Sequence, residues 1–340
     1  MELALYHPRQ GYYSNPQERP IGRRGDFFTS VAVGDTFGFL LAHALVQAWE
    51  KRFDPRRPFV VVEQGGHDGQ LARDFLAGLA STGSALSKSV VYRIVEPRSA
   101  VRERLDETFR NEGFGGIETV ATLEEARGEQ GLFLCNELLD AFPFRRLAFE
   151  EGEWRERKVG WDEAGQAPCW VSRPLPAELT RYADELGTDF PEGYATEVCP
   201  AVATWMRDAA TLFRRGLWWV IDYGYESEDY FARHRADGTL RCYRNHRATD
   251  DPFDRPGETD ITAHVNFSHL AAAAAGAGLK RERFTDQHHF LVEAARPWLL
   301  AIEGEPPGES LRQRLRQFQT LTHPGLMGQQ FKVAEFSRGI

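Results

Sequence analysis

The chain has 340 residues, of which 42% are hydrophobic, and its formal net charge is -9. This length is sufficient for one large α/β domain with insertions or for two modest domains, each with a buried core. The negative charge argues against nucleic acid as the main partner, because binding to phosphates requires a basic surface.

The cysteines are widely separated and form no C-x-x-C pair; they are Cys135, Cys169, Cys199 and Cys242. This spacing predicts neither a zinc site nor a disulfide framework, and it fits a reducing compartment. No apolar stretch approaches the ~20 residues that span a bilayer. The first residues show neither a secretory signal nor the Arg/Ser-rich composition of a transit peptide. We therefore expect a cytoplasmic protein without membrane insertion.

Strands and helices alternate along much of the chain, beginning with a helix from Asp35 to Arg52 whose apolar residues nearly encircle it. The elements predicted after it are strand Phe59–Val62, a helix from Gln70 to about Leu79, strand Val90–Val95, a helix from Pro97, strands Ile117–Ala121 and Leu132–Cys135, helix Pro200–Arg215, strand Leu217–Ile221 and strand Phe331–Ser337. This repeated order predicts an α/β fold with a mostly parallel sheet, right-handed crossovers and helices on both faces.

Two long stretches interrupt the alternation, residues 143–196 and residues 224–266. The first contains a predicted hairpin, Arg146–Phe149 with Trp154–Val159, and the second is polar, aromatic and loop-like. Segments of this length in a compact domain are usually lids or binding surfaces. Both leave the carboxyl end of a predicted strand, which is the ligand side of an open α/β sheet. We interpret them as inserted segments that form a cap on the substrate side.

The turn after the first strand combines an acid, three glycines and a histidine: Glu63, Gly65, Gly66, His67 and Gly69. A strand, a glycine turn and a helix present a nucleotide-sized ligand at the carboxyl edge of a sheet, and glycines let the backbone approach it without a Cβ. The G-x-G-x-x-G fingerprint fails because His67 and Gln70 replace its second and third glycines. The remaining acid-x-G-x-x-x-G turn resembles the first motif of class I S-adenosylmethionine methyltransferases. The alternative is a tight turn that binds nothing.

Glu96 follows the second strand directly. A carboxylate at this position accepts hydrogen bonds from both hydroxyls of a ribose in the dinucleotide-binding folds. The alternative is a solvated glutamate that caps the next helix.

Three polar residues, Asn136, Glu137 and Asp140, follow the fourth strand. Polar groups beside an apolar strand end are costly unless they bind something. Glu137 and Asp140 are three residues apart and share one face if the turn is helical. Paired carboxylates would hold a cationic nucleophile such as an arginine guanidinium by bidentate hydrogen bonds. The alternative is a helix N-cap at Asn136 with an acid in the first turn.

With these residues in place, the chain resembles the MidA family of S-adenosylmethionine-dependent methyltransferases, which includes the mitochondrial complex I assembly-factor methyltransferase. The resemblance covers nearly the whole chain and rests on eight ordered segments. They are Gly11-Tyr-Tyr13, Gly22-Arg-Arg-Gly-Asp-Phe-Phe-Thr-Ser30, Asn136-Glu-Leu-Leu-Asp-Ala-Phe-Pro143, Glu197-Val-Cys-Pro200, Ile221-Asp-Tyr-Gly224, Gly238-Thr-Leu-Arg-Cys-Tyr-Arg-Asn-His246, Pro256-Gly-Glu-Thr-Asp-Ile-Thr-Ala-His-Val265, and His323-Pro through Met327-Gly-Gln-Gln-Phe-Lys332.

The resemblance implies a Rossmann-like class I methyltransferase fold, a single domain over residues 1–340 with a lid over residues 1–33. It implies S-adenosyl-L-methionine as the cofactor and a protein substrate, which in the mitochondrial relatives is an arginine of a respiratory complex I subunit. We therefore expect a protein partner such as a respiratory complex subunit. The cofactor-site residues that it implies are Glu63, Gly65, Gly66, His67, Gly69, Glu96 and Asn136, with Asp26, Thr29 and Ser30 in the lid.

The predicted position of two carboxylates at the tip of the fourth strand suggests the catalytic residues. Methyl transfer is an in-line displacement in which the protein mainly contributes alignment and desolvation. A protonated arginine, with a pKa above ~12, is a poor nucleophile. We expect Glu137 and Asp140 to orient it and to remove its proton.

His67 stands where the family turn, E-x-G-x-G-x-G, has its middle glycine. This departure motivates an alternative, a non-catalytic assembly or binding protein with a weakened cofactor site. A nicotinamide-dependent dehydrogenase is a second alternative, which the missing fingerprint disfavours. The histidines match neither H-E-x-x-H nor a zinc set supported by cysteines, so we predict no metal site.

Overall fold

A computed structural model describes residues 1–14, 29–244, 247–304, 306 and 308–340 of the chain. The helices are α1 (Glu2–Tyr6), α2 (Thr36–Arg52), α3 (Gln70–Ser81), α4 (Ser99–Glu112), α5 (Thr180–Leu186), α6 (Ala201–Ala209), α7 (Ser227–Tyr230), α8 (Phe267–Gly276), α9 (Gln287–Ala301) and α10 (Glu309–Thr322). None of these described helices combines the length and the apolar composition that crossing a membrane requires.

The strands pair into one large sheet and two small ones. They are β1 (Phe59–Gln64), β2 (Val90–Val95), β3 (Ile117–Val120), β4 (Gly128–Asn136), β5 (Arg145–Glu150), β6 (Glu153–Asp162), β7 (Ala167–Pro174), β8 (Ala195–Val198), β9 (Phe213–Tyr225), β10 (Arg241–Arg244), β11 (Arg247–Thr249), β12 (Asp260–Thr262), β13 (Val265–Asn266), β14 (Lys280–Asp286) and β15 (Phe331–Arg338).

The described residues form two compact units. The larger, here called the sheet unit, lies within Phe28–Leu138, Trp205–Tyr223 and Ala271–Ile340. The smaller, here called the inserted unit, lies within Met1–Phe27, Leu139–Thr204 and Gly224–Leu270. The sequence ranges of the inserted unit include both of the predicted cap segments.

The sheet unit is built on a sheet with the strand order β14-β15-β9-β4-β1-β2-β3. Within this sheet, β9, β4, β1, β2 and β3 run parallel to one another. Strand β15 runs antiparallel to β9, and β14 runs antiparallel to β15. In the sheet, β2 and β3 lie on one side of β1, whereas β4 and β9, which follow them in the chain, lie on the other side. The order therefore reverses between β1 and β4, and ligands of open α/β sheets bind at such a reversal. The prediction of a mostly parallel α/β fold is confirmed.

The core of the sheet unit explains why β1 is central. The four residues Phe59–Val62 are all buried, as expected for a strand that pairs on both sides in a parallel sheet. Helix α2 is also buried around most of its circumference, and Leu40, Leu41 and Leu45 are fully inaccessible to solvent. This agrees with the predicted helix, which begins one residue later than expected.

Two further helix boundaries differ from the predicted ones by more than one residue. Helix α4 begins at Ser99 instead of Pro97, because the backbone N–H of Arg98 donates to Glu96 Oε1 and the chain stays extended there. Helix α6 ends at Ala209, six residues before the predicted end. The chain turns after it, and β9 begins at Phe213, where it pairs with Gly128 of β4.

The inserted unit contains a four-stranded antiparallel sheet, β7-β6-β5-β8, and a three-stranded sheet, β11-β10-β12. The predicted hairpin is confirmed as β5 and β6, with Phe149 opposite Trp154. The interpretation of residues 224–266 as loop-like is wrong for β10 and β12, which pair antiparallel with Cys242 opposite Ile261. Short strands with polar residues on one side lack the apolar run that marked the parallel strands.

We predict that Gly131 in β4 cannot be replaced by alanine without loss of stability. A Cβ there would lie 2.2 Å from the carbonyl oxygen of Val60 and 2.5 Å from the Phe213 ring. Gly131→Ala should lower the free energy of unfolding by about 2 kcal/mol, since a well-packed core does not accept added volume. Gly115→Ala is the control, because nothing lies within 4 Å of its added Cβ. Equal urea midpoints for the two variants would contradict this packing of β1 against β4.

Candidate active site

The predicted site residues of the sheet unit gather at the carboxyl edge of three adjacent strands. Gln64, the last residue of β1, pairs with Val95 of β2 and with Cys135 of β4. The next residues along these two neighbours are Glu96 and Asn136, so both follow their strands at the edge where the glycine turn begins. The parallel register therefore brings together groups that are 33 to 73 residues from Glu63 in the sequence.

Glu63 is a buried carboxylic acid at the end of β1. Only 3% of its surface is exposed, and Oε2 accepts a hydrogen bond of 2.9 Å from the Tyr92 hydroxyl. Burial raises the pKa of Glu63 to about 7, since desolvation disfavours the charged form, although the Tyr92 hydrogen bond acts in the opposite direction. Near neutral pH the carboxyl group is therefore poised between its charged and neutral forms.

The glycine turn has no room for side chains on its inner surface. Gly65 and Gly69 adopt left-handed backbone conformations, with φ of 88° and 76°. A Cβ on Gly69 would lie 2.3 Å from the Phe109 ring, and one on Gly66 would lie 2.9 Å from Ile94 Cγ2. The backbone N–H of Gly69 donates to the carbonyl oxygen of Gly66, which closes the turn directly before α3. The result is a stretch of bare backbone at the strand-order reversal.

His67 adopts the left-handed conformation that the family turn assigns to glycine. Its φ is 45°, a region in which side chains other than glycine are strained. The side chain is 47% exposed, and Nδ1 lies 3.7 Å from Asp68 Oδ1. The imidazole thus reaches solvent, and the cost of the substitution lies in the backbone.

Glu96 is held by an arginine that the sequence patterns did not single out. Arg98 forms a bidentate ion pair with it, with Nε 2.7 Å from Oε1 and Nη2 2.8 Å from Oε2. Glu96 is 8% exposed, whereas the Arg98 side chain is 45% exposed. A ribose at Glu96 would share the carboxylate with Arg98 or displace it. The only sequence signal for this ion pair was the position of Arg98 two residues after Glu96.

The tip of β4 combines a strained backbone with a polar network. Glu137 has a φ of 51°, and its backbone N–H donates to the carbonyl oxygen of Ile221. Its Oε1 accepts hydrogen bonds from Asn136 Nδ2 at 2.9 Å and from the Ser30 N–H at 3.1 Å. Asn136 Oδ1 is buried and accepts no hydrogen bond from the residues that the structure describes. Strain of this kind at a strand tip is typical of functional sites.

The predicted helical turn from Glu137 to Asp140 is not formed. A right-handed helix is incompatible with the φ of Glu137, and the segment is a turn. The two carboxylates therefore do not share a helical face, and Asn136 is not a helix N-cap.

The predicted lid is described only in part. Asp26 lies outside the described residues, whereas Thr29 and Ser30 are both buried. Ser30 Oγ donates to Gln287 Oε1 at 3.0 Å, and Gln287 Nε2 donates to the carbonyl oxygen of Leu321. Gln287 thereby fixes the segment whose N–H reaches Glu137. Nothing in the sequence pattern predicted this residue, because its role depends on chain segments that are far apart in sequence.

Asp140 belongs to the inserted unit, where it is 7% exposed. Its carbonyl oxygen accepts a hydrogen bond from Ala263 N–H at 3.0 Å. Burial, followed by the charges of Asp260 and Asp140, raises the pKa of Tyr13 well above its usual value. Asp140 is therefore part of a buried acidic and aromatic cluster.

The described residues of the carboxyl edge fit S-adenosylmethionine. The glycine turn packs too closely against Ile94 and Phe109 to carry side chains, so it presents bare backbone at this edge. Asn136 offers a buried acceptor for an N–H donor, and Glu96 is a carboxylate at the position that binds ribose hydroxyls in related folds. No G-x-G-x-x-G fingerprint is present that would indicate a pyrophosphate.

The fold and this edge define a class I methyltransferase. A family model described as "Putative S-adenosyl-L-methionine-dependent methyltransferase" matches residues 40–285, and the chain belongs to this family. The resemblance to the MidA family is thereby confirmed.

Solved and curated relatives agree with this assignment. A Burkholderia thailandensis protein was solved with S-adenosyl-homocysteine bound, and its sequence is 36% identical to this chain. The match covers 100% of this chain and 86% of that protein's chain, with a TM-score of 0.87. The Drosophila melanogaster "Protein arginine methyltransferase NDUFAF7 homolog, mitochondrial" is 28% identical over 100% of this chain and 80% of its own length. The Mus musculus "Protein arginine methyltransferase NDUFAF7, mitochondrial" is 27% identical over 97% of this chain and 78% of its own length. The protein is an S-adenosylmethionine-dependent methyltransferase.

The expectation of a cytoplasmic protein is wrong, because these curated relatives are named mitochondrial. Cysteine spacing distinguishes oxidising from reducing surroundings. It does not distinguish one reducing compartment from another.

We predict that Glu63 makes stability fall as the pH rises from about 4.5 to about 7. The folded state keeps its proton up to about pH 7, whereas the unfolded chain loses it near its ordinary pKa of 4.5. Between these values the folded state binds more protons, so raising the pH favours unfolding, by as much as roughly 3 kcal/mol. Glu63→Gln should flatten this dependence in urea unfolding from pH 5 to pH 8. Exposed Glu107→Gln is the control, and identical slopes for both variants would show that Glu63 titrates normally.

We predict that His67→Gly relieves strain without changing cofactor affinity by more than about threefold, equivalent to less than 1 kcal/mol. Glycine adopts the left-handed conformation without cost, so stability should rise by about 1 kcal/mol. His67→Ala, which keeps a Cβ, should give no such gain. Thermal unfolding and calorimetry with S-adenosylmethionine measure the two effects. A tenfold tighter complex for His67→Gly would mean that the imidazole does obstruct the cofactor.

Proposed function

We propose that this methyltransferase methylates an arginine side chain of a protein. The main support is that the curated relatives named protein arginine methyltransferases match at least 97% of the chain. The match therefore includes the inserted unit as well as the cofactor-binding sheet. If the relatives shared only cofactor binding with this chain, we would expect their similarity to be confined to the sheet unit.

Within this proposal, different residues at the carboxyl edge bind different parts of the cofactor. The backbone of the turn from Glu63 to Gly69 would lie beside the cofactor, and Glu96 would bind its ribose hydroxyls. Asn136 and Glu137 would hold its methionine end, and the buried Asn136 Oδ1 would be an acceptor for the ammonium group. Thr29 and Ser30 belong to the lid, as does Asp26 by family resemblance.

The reaction needs little covalent chemistry from the protein. When bound, S-adenosylmethionine supplies a methyl group on a positively charged sulfur that leaves as a neutral thioether. A guanidinium nitrogen gains the new N–C bond as the S–C bond breaks, and it loses one proton. Glu137 and Asp140 would orient the guanidinium and take this proton, which then exchanges with water. The Ser30 N–H and Asn136 hold the Glu137 carboxylate in one orientation.

The family resemblance extends the proposal to the acceptor protein. A subunit of a respiratory complex is the partner that the resemblance implies. A lysate from a strain lacking the gene, incubated with the purified protein and labelled cofactor, would identify the acceptor. Amino-acid analysis of the labelled product should yield methylarginine. Label in any other amino acid would refute arginine as the acceptor residue.

We predict that Glu137→Gln lowers the methylation rate on that acceptor by at least about 100-fold, a typical loss for a missing proton acceptor. Glutamine keeps an oxygen that accepts the hydrogen bonds from Asn136 and Ser30, so the geometry is preserved while the charge is lost. Exposed Glu107→Gln is the matched control, and cofactor binding by both variants is checked by calorimetry. A full rate for Glu137→Gln would exclude the role of Glu137 as an acid–base residue.

A further inference from the structure

Gln64 is a polar residue at the end of an apolar strand, beside the strand-order reversal. It is the last residue of β1, and it pairs with Val95 of β2 and with Cys135 of β4. The four residues Phe59–Val62 of the same strand are all apolar and buried. An amide at the end of such a strand costs free energy unless its polar atoms have partners. Gln64 therefore calls for a partner at each end of its amide.

The oxygen end of the Gln64 amide has a partner within the sheet unit. Trp205 Nε1 donates a hydrogen bond of 2.9 Å to Gln64 Oε1. Because an indole N–H can only donate, this contact identifies the oxygen end of the amide. The indole is itself held in place, since Trp205 is 8% exposed and its ring lies 5.8 Å from the Phe133 ring between centroids. Trp205 thereby fixes the orientation of the amide.

The nitrogen end of the same amide is a donor. Gln64 Nε2 carries two N–H groups, and it donates to none of the residues that the structure describes. The residue is half-buried and Nε2 is not enclosed by protein, so a bound molecule can reach it. Gln64 thus offers two neutral N–H donors directly before the glycine turn.

The amino-acid end of S-adenosylmethionine carries an ammonium group and a carboxylate, which need opposite partners. The ammonium group needs acceptors, and Asn136 Oδ1 and the Glu137 carboxylate are acceptors at this edge. The carboxylate needs N–H donors, because a neighbouring acid repels it. A neutral amide supplies such donors and leaves the ammonium group to the acids.

We propose that the Gln64 amide nitrogen binds the carboxylate of the methionine part of the cofactor, and that Trp205 positions the amide for this contact. The inference rests on the cofactor placement in the proposed function, and it holds whichever side chain accepts the methyl group. A glutamate at position 64 would also accept a hydrogen bond from Trp205, but it would repel the carboxylate of the ligand. This difference accounts for a neutral amide at the position.

The test compares S-adenosylmethionine with its decarboxylated form, which keeps the adenosine, the sulfonium and the ammonium group but lacks the carboxylate. Calorimetry on the full chain measures both affinities. Gln64→Glu keeps an acceptor for Trp205 and replaces the donor by a negative charge. It should weaken S-adenosylmethionine at least about tenfold, the usual effect of losing a hydrogen bond to a charged group. The decarboxylated form should not bind more weakly, since the added acid attracts its ammonium group.

Gln313→Glu is the matched control, because Gln313 is an exposed glutamine of α10 in the same unit and gains the same charge. It should leave both affinities unchanged. Trp205→Phe keeps an aromatic ring without the N–H that orients Gln64. It should weaken S-adenosylmethionine about threefold more than the decarboxylated form.

Gln64→Leu repeats the comparison without a charge and decides it if Gln64→Glu does not fold. It should reduce the preference for S-adenosylmethionine over the decarboxylated form at least about threefold. The assignment is wrong if the Gln64 variants weaken both ligands equally or leave the preference unchanged. It is also wrong if Gln313→Glu shifts the preference as much as Gln64→Glu.

The inference and the proposals beside it fail in different ways. Glu96→Gln tests the cofactor placement, and it should weaken both ligands equally because both carry the ribose. If it does so while the Gln64 variants leave the preference unchanged, the placement stands and the role of Gln64 is overturned. If Glu96→Gln changes neither affinity, the placement itself is overturned. Label recovered in an amino acid other than arginine refutes the acceptor residue and leaves the role of Gln64 intact.

Discussion

The parallel pairing of β1 between β2 and β4 is the constraint on which the rest of the site depends. Because the three strands run in the same direction, the residues that follow them meet at one edge of the sheet. The order of the strands reverses at this point, and in open α/β sheets such a reversal opens a crevice in which ligands bind. Glu63, Glu96 and Asn136 owe their proximity to this register, and a shift of one residue in β1 would turn Glu63 to the opposite face.

Several unfavourable features are concentrated at the same edge. Glu63 is buried at a cost that raises its pKa, Glu137 has a left-handed backbone, and His67 occupies a position that suits glycine. A stable fold tolerates such features where they serve binding or catalysis, because the surrounding core compensates for them. Here the buried strand β1 and helix α2, which is buried on most of its sides, supply the stability that offsets these costs.

The sequence predicts the elements whose signal is local. Strand β2 has the predicted bounds, because a run of β-branched and aromatic residues lies between a polar loop and a proline. Strand β14, Lys280–Asp286, was not predicted, because it is rich in charged residues and, among the described strands, pairs with β15 alone at the edge of the sheet. The candidate cofactor residues followed from strand ends and glycines. Gln287 could not be predicted, since its role depends on a contact with Ser30 that only the folded chain creates.

The central claim is that S-adenosylmethionine binds at the reversal between β1 and β4. A crystal structure of the protein with S-adenosyl-homocysteine tests it most directly. The account predicts ribose hydroxyls within hydrogen-bond distance of Glu96 and the amino-acid end of the ligand beside Asn136. Density for the ligand at another edge of the sheet, or within the inserted unit, would contradict it.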